Sequence, residues 1–108
     1  MSGISTHVLD TASGQPAAGV PVRLQTDDGQ VVGTDATDTD GRVADLSGGT
    51  LHAGVYQLVF DTAAYFLATD QQGFYPEVAI TFTVIDARQH HHVPLLLSPF
   101  AYSTYRGS

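Results

Sequence analysis

Apolar and polar residues alternate with a period of two through much of the chain. From Ile4 to Asp10, Ile4, Thr6 and Val8 take one side and Ser5, His7 and Leu9 the other. Val20, Val22 and Leu24 alternate against Pro21, Arg23 and Gln25, and Val78, Ile80, Phe82 and Val84 against Ala79, Thr81 and Thr83. Period two marks a half-buried strand. Val55 to Phe60 is dense in β-branched and aromatic residues, and His90 to Leu97 and Ala101 to Arg106 supply two further strands. Turn residues punctuate these runs at Ser13-Gly14, Asp28-Gly29, Asp40-Gly41, Gly48-Gly49, Gln72-Gly73 and Ser98-Pro99. Asp28-Gly29 and Asp40-Gly41 predict hairpin turns, because Gly accepts positive φ there without steric cost. Asp61 followed by Thr62-Ala63-Ala64-Tyr65-Phe66-Leu67-Ala68 combines an N-cap residue with good helix formers, and predicts one short helix. Pro94 lacks the N–H that a ladder needs, so its strand is expected at an edge, bulged or interrupted there. Short strands with regular turns imply an all-β, two-sheet sandwich.

Length narrows this picture. At 108 residues, 1–108 is read as a single domain. A chain this size supports one modest core and leaves little interior for a deep private pocket. A site shared between subunits is one way around that limit. The formal net charge is −7, Lys is absent, and Arg23, Arg42, Arg88 and Arg106 are the basic residues. Such a surface argues against nucleic acid or an anionic membrane as partner, since both need clustered cations. A small anionic ligand needs only one or two well-placed Arg. Without Cys there is no disulfide framework. No apolar run approaches the ~18–20 residues of a membrane span. The first residues show neither a basic region nor an apolar stretch of the signal-peptide kind, so a cytoplasmic protein is expected.

The chemistry-bearing residues are few. The 5 histidines are His7, His52, His90, His91 and His92. On a strand His90 and His92 share a face and His91 takes the other. His90 and His92 can chelate a metal with a third ligand such as His7. Against this stand the absence of Cys and the single Glu, Glu77, so no metal or other cofactor is expected. The cluster reads more simply as a solvated or hydrogen-bonded strand face. It also reads as a general base, because imidazole titrates near neutrality. A base acting on a carbonyl needs a partner for developing negative charge. Arg42, just after the Asp40-Gly41 turn, is suited to grip a planar anion. Arg106, near the end of the sequence, reads by composition as an exposed charge in a frayed tail.

Three segments change that reading. They are His7-Val8-Leu9-Asp10 with Gly14-Gln15-Pro16-Ala17, then Asp40-Gly41-Arg42, then His92-Val93-Pro94-Leu95-Leu96-Leu97-Ser98-Pro99-Phe100 running through Tyr102-Ser103-Thr104 to Tyr105-Arg106-Gly107-Ser108. Together they resemble the transthyretin-like family, and within it the branch of 5-hydroxyisourate hydrolases of urate breakdown. The likeness covers the whole chain, and Tyr-Arg-Gly-Ser is its most specific element. The resemblance implies an eight-stranded Greek-key β-sandwich with one short helix. It implies a homotetramer, a dimer of dimers, with sites at the dimer–dimer interface. It also implies hydrolysis of 5-hydroxyisourate to 2-oxo-4-hydroxy-4-carboxy-5-ureidoimidazoline. His7, Arg42 and His92 match the family's catalytic positions, where the hormone-carrier branch holds a Lys, a Glu and a Thr. Tyr105, Arg106, Gly107 and Ser108 match the terminal tetrapeptide. On this reading His7 or His92 activates water, and Arg42 orients the substrate and stabilises its charge. Tyr105, Arg106 and Gly107 contribute to binding, and Ser108 positions His or water. His91, where relatives often have Tyr, and Ala101, where they often have Gly or Tyr, are departures. Two other functions stay open: a carrier on the same sandwich, and a metal-binding or adhesion module. So does a Ser nucleophile, Ser103 or Ser108, although neither lies in a Gly-x-Ser-x-Gly elbow.

Overall fold

A computed structural model of the chain describes residues 3–107. The elements run β1 (Gly3–Asp10), β2 (Gln15–Pro16), β3 (Pro21–Thr26), β4 (Val31–Ala36), β5 (Arg42–Val43), β6 (Gly54–Phe60), α1 (Thr62–Ala68), β7 (Val78–Val84), β8 (His90–Leu97) and β9 (Tyr102–Thr104). One sheet has the order β2-β1-β8-β9, with β5 also paired to β1; the other has the order β4-β3-β6-β7. Two of the strands, β2 and β5, are only 2 residues long, which brings the segments among the described residues to nine where eight were expected.

The inward half of each alternating strand fills the space between the sheets. Ile4 and Val8, Leu24, Leu58 and Phe60, Val78 and Val84, and Leu95 and Leu97 pack into one contiguous core. Each such side chain stabilises the fold by roughly 1.5–3 kcal/mol through burial. The helix forms where the sequence predicts it. Asp61 caps it by accepting a hydrogen bond from the Ala64 N–H at 3.1 Å. Tyr65 and Phe66 turn inward, and the Tyr65 hydroxyl donates to Asp10 Oδ2 at 2.7 Å.

Three local expectations are refined. The strand β4 carried no clear sequence signal, because it pairs only with β3 and leaves most of its side chains exposed. The Asp40-Gly41 turn is not a hairpin. The strand before it, β4, lies in one sheet, and the strand after it, β5, pairs with β1 in the other. Its chemistry is that of a tight turn all the same: Gly41 has φ +76°, and a Cβ there would strike the Val8 carbonyl oxygen. Pro94 sits in an interior strand, and the ladder breaks beside it. The β8–β9 pairing runs from Leu97–Tyr102 to Leu95–Thr104, stops, and resumes as one bridge between His92 and Gly107. In the gap the Pro94 carbonyl accepts from the Thr104 hydroxyl at 2.7 Å.

Candidate active site

Strand register assembles the site. The strands β1 and β8 are parallel, with Gly3 opposite His90, Ser5 opposite His92 and His7 opposite Pro94. On the other edge of β1, the antiparallel β5 sets Arg42 opposite His7. Paired residues project to the same side of a sheet, so Ser5, His7, Arg42, His90 and His92 share its outer face. Ile4, Thr6, Val8 and Asp10 point inward with His91, Val93, Leu95 and Leu97.

Local hydrogen bonds fix the two ends of this group. Asp38 Oδ1 accepts from the backbone N–H groups of Asp40 and Arg42, both at 2.9 Å, so the turn delivers Arg42 in one orientation. The Ser5 hydroxyl lies 2.8 Å from His92 Nδ1 and 2.7 Å from His90 Nε2. Nδ1 of His92 is thereby engaged, and Nε2 is the ring nitrogen left for a ligand. Burial, then the nearby Arg42, His7 and His90, hold the His92 imidazole below its ordinary pKa of 6.5. It is therefore mostly neutral at pH 7 and able to accept a proton. Among the described residues the Arg42 guanidinium makes no hydrogen bond or ion pair, and its side chain stands in solvent. Ser5, Asp38, Arg42, Ala44, His90 and His92 border an open depression of about 440 Å³. His7 stands beside Arg42 by register but does not line that depression. Among the described residues no three His, Cys, Asp or Glu side chains are grouped to hold a metal ion.

The sequence profile of the HIUase/Transthyretin family matches residues 4–107. The chain belongs to this family. It is similar to the 5-hydroxyisourate hydrolase of Caulobacter vibrioides, 47% identical over 115 residues that cover 100% of both proteins. Its fold is similar to that of 5-hydroxyisourate hydrolase from Klebsiella pneumoniae, with TM-score 0.92, 38% identity and 100% of each chain covered. It is also similar to transthyretin from Sparus aurata, with TM-score 0.88 and 30% identity, over 99% of this chain and 97% of that one. Within the HIUase/Transthyretin family, then, the sandwich alone does not separate an enzyme from other functions, and side chains must carry that argument.

The tail divides between two places. Gly107 bridges to His92, its N–H donating to the His92 carbonyl at 2.8 Å. A Cβ on Gly107 would lie 2.5 Å from His92 Cδ2, so only Gly lets this backbone lie flat against the ring. Arg106 turns the other way. Its Nη2 donates to Gln89 Oε1 at 3.4 Å, and its charge is felt at His91 on the inward side of β8. Tyr105 and Arg106 border a second, largely apolar concavity of about 340 Å³ with Ile80, Phe82 and His91. A single chain thus brings His7, Arg42, His92 and Gly107 together, and holds Arg106 apart from them. Ser108 lies outside the described residues.

Two contributors escaped sequence reasoning. Asp38 was hidden in a run of Asp and Thr, although Asp-Thr-Asp-Gly is a side-chain-capped turn signal. Ser5 shares a face with His7 in the period-two pattern, but its link to β8 depends on a parallel pairing across 87 positions.

Proposed function

We propose that this chain hydrolyses 5-hydroxyisourate to 2-oxo-4-hydroxy-4-carboxy-5-ureidoimidazoline, acting as a single domain without a cofactor. One observation carries the reading. A His92 ring with Nδ1 anchored on Ser5 stands on the same face as His7 and an Arg42 whose guanidinium has no partner among the described residues. Opening a cyclic amide needs an activated water, support for a tetrahedral oxyanion, and a proton for the departing nitrogen. Neutral His92 takes the proton of water at Nε2 and later returns one to the leaving nitrogen; such catalysis contributes typically ~10²–10⁴-fold. His7, beside Arg42, is the second candidate for this task. Arg42 orients the planar, oxygen-rich substrate by paired N–H donors and stabilises the charge that develops on its oxygen. Gly107 keeps the His92 ring in place, Tyr105 and Arg106 add substrate contacts, and Ser108 positions water or His.

The assembly in this reading is a homotetramer, a dimer of dimers, with sites at the dimer–dimer interface. Its support is geometric. The strands β7 and β9 end their sheets, and residues of both border the same concavity, so two unpaired edges lie side by side. Such edges are natural templates for a second copy. The depression beside Arg42 is open to solvent in one chain, and a facing subunit would close it. That closure offers a route for Arg106 of a neighbouring copy to reach substrate.

The test is ultraviolet spectroscopy of freshly generated 5-hydroxyisourate. The protein should accelerate its decay, and Arg42→Ala should remove the acceleration. Decay at the uncatalysed rate, with tight equilibrium binding of an iodinated aromatic, would favour the carrier function instead.

A further inference from the structure

We propose that Ser5 and His90 form a proton relay that serves His92, carrying charge out of the site during each turnover; this rests on the hydrolase reading above. The geometry is specific. One hydroxyl oxygen lies 2.8 Å from His92 Nδ1 and 2.7 Å from His90 Nε2. A hydroxyl has one hydrogen, so it donates to one of these nitrogens and accepts N–H from the other. When Ser5 donates to His90, Nδ1 of His92 carries hydrogen and Nε2 presents a lone pair. When Ser5 donates to His92, the His92 hydrogen sits on Nε2.

Passage between these two arrangements matches what hydrolysis requires. As water attacks, its oxygen forms the bond to the carbonyl carbon and the carbonyl π pair moves to oxygen. The released proton goes to His92 Nε2. The Nδ1 hydrogen of His92 passes to Ser5 Oγ, and the former hydroxyl hydrogen passes to His90 Nε2. His92 ends neutral, and the positive charge rests on His90. As the C–N bond breaks, the leaving nitrogen takes the hydrogen on His92 Nε2. The chain then runs backward and restores the starting state.

The surroundings favour this direction. His92 faces His7 on β1, Arg42 on β5 with Asp38 in the turn before it, and His90 on its own strand. Arg106 of the tail lies on the far side, near His91. Partial burial opposes a cation on His92 most, and Arg42, His7 and, last, His90 add to that opposition. His90 is exposed, and its charge is attracted to the Asp45 carboxylate. Asp45 is held there by the Ile4 N–H at 3.1 Å and the Ser47 N–H at 2.8 Å. Gly3 leaves room for it, since a Cβ at that position would lie 3.0 Å from Asp45 Oδ1. The relay therefore moves a proton from beside Arg42 to water and a carboxylate. The pattern Gly3-x-Ser5 opposite His90-x-His92 builds it from strand register alone.

The experiment pairs kinetics with nitrogen NMR of the imidazoles. Ser5→Ala should lower kcat roughly 10- to 100-fold with KM within about threefold, a part of the general acid–base contribution. Ser5→Thr, which keeps the hydroxyl, should restore most of it. His90→Ala should match Ser5→Ala, and the double variant should be no slower than either, since both break one chain. In the substrate-free protein the nitrogen shifts of the His92 ring should change in Ser5→Ala and return in Ser5→Thr. A folded Ser5→Ala with wild-type kcat, a fully active His90→Ala, or unchanged His92 shifts would overturn the relay. If the wild-type protein does not hydrolyse 5-hydroxyisourate, the hydrolase reading fails. The ring shifts would still report whether Ser5 sets the His92 tautomer.

Discussion

The two ends of β1 both carry polar side chains, and they use them in opposite ways. At one end Asp10 is buried and fully engaged. Its Oδ1 accepts from the N–H groups of Ala12 and Ser13 at 3.0 and 3.2 Å, and its Oδ2 accepts from the Tyr65 hydroxyl at 2.7 Å and Gln71 Nε2 at 3.2 Å. The carboxylate thereby closes the turn into β2 and ties down α1. Nearer the other end, Ser5 and His7 stand on the outer face with Arg42 and His92, where hydrogen-bonding capacity is left over. Period two makes the division: position 10 points inward and position 7 outward. Residue type does not separate structure from chemistry on this strand. What separates them is whether donors and acceptors are consumed within the fold.

The sharpest way to break the comparison is to delete one group from each end. His92→Ala and Arg42→Ala should each lower turnover by about 10²–10⁴-fold. Their melting temperatures should stay within a few degrees of wild type, because neither side chain fastens the core. Asp10→Ala should do the reverse. It strands the Tyr65 hydroxyl and two backbone N–H groups, each costing about 1–3 kcal/mol where it stays dry. For a domain of this size each kcal/mol shifts the midpoint by roughly 4–8 °C. Turnover per folded molecule should be kept. Thermal melts run beside the ultraviolet assay decide the matter, and a stable but inactive Asp10→Ala would erase the distinction. Deleting Arg106-Gly107-Ser108 should resemble His92→Ala, with a wild-type rate in the truncated protein counting against any role for the tail.

Gly107→Ala tests the same division with one methyl group. The new Cβ would lie 2.5 Å from His92 Cδ2, so the ring or the tail beside it must shift. Misplacing a catalytic group by about 1 Å can lower the rate up to ~10²-fold, and a roughly tenfold loss of kcat is expected here. Stability should barely move, since Gly107 lies outside the core.

Much of this architecture was legible because it depends on local rules. Alternation located β1, β3 and β7, β-branched and aromatic density located β6, the Asp61 cap located the helix, and Pro94 marked the break in the β8–β9 ladder. What was not legible depends on long-range pairing. The edge strand β4 has little apolar pattern because one of its sides meets solvent. The sheet-changing role of Asp40-Gly41 cannot be told from a hairpin, since both need the same positive φ. The grouping of His7, Arg42 and His92 came from family resemblance rather than spacing. Its physical cause is the pairing of β1 with β8 on one edge and with β5 on the other, a long-range register that no local signal encodes. The same cause hid Ser5.

The smallest effect concerns His91, the inward-facing member of the histidine triplet. It is buried, its Nδ1 has no hydrogen-bond partner among the described residues, and it lies across β8 from the site. Burial, followed by the charge of Arg106, lowers its pKa below 6.5, as burial and Arg42 do for His92. An unfolded chain then binds more protons than the folded one just below pH 6.5, so stability declines as pH falls through the folded values of both rings. Asp10 and Asp45 act lower on the scale. Burial alone would raise both carboxyls, but their hydrogen bonds outweigh it and hold them below 3.8. Their contribution is complete above that value and is lost as pH falls through the depressed folded pKa. Acid should therefore weaken the fold in two separate steps. His91→Phe removes one of the two rings behind the upper step and an orphaned buried nitrogen with it. The expected result is a gain of about 1 kcal/mol near neutral pH and a shallower loss below 6.5, with the lower step and kcat unchanged. Melting temperature against pH for the two proteins measures this. An unchanged upper step in His91→Phe would assign it wholly to the outer face, where His92 is the ring that burial and Arg42 hold neutral.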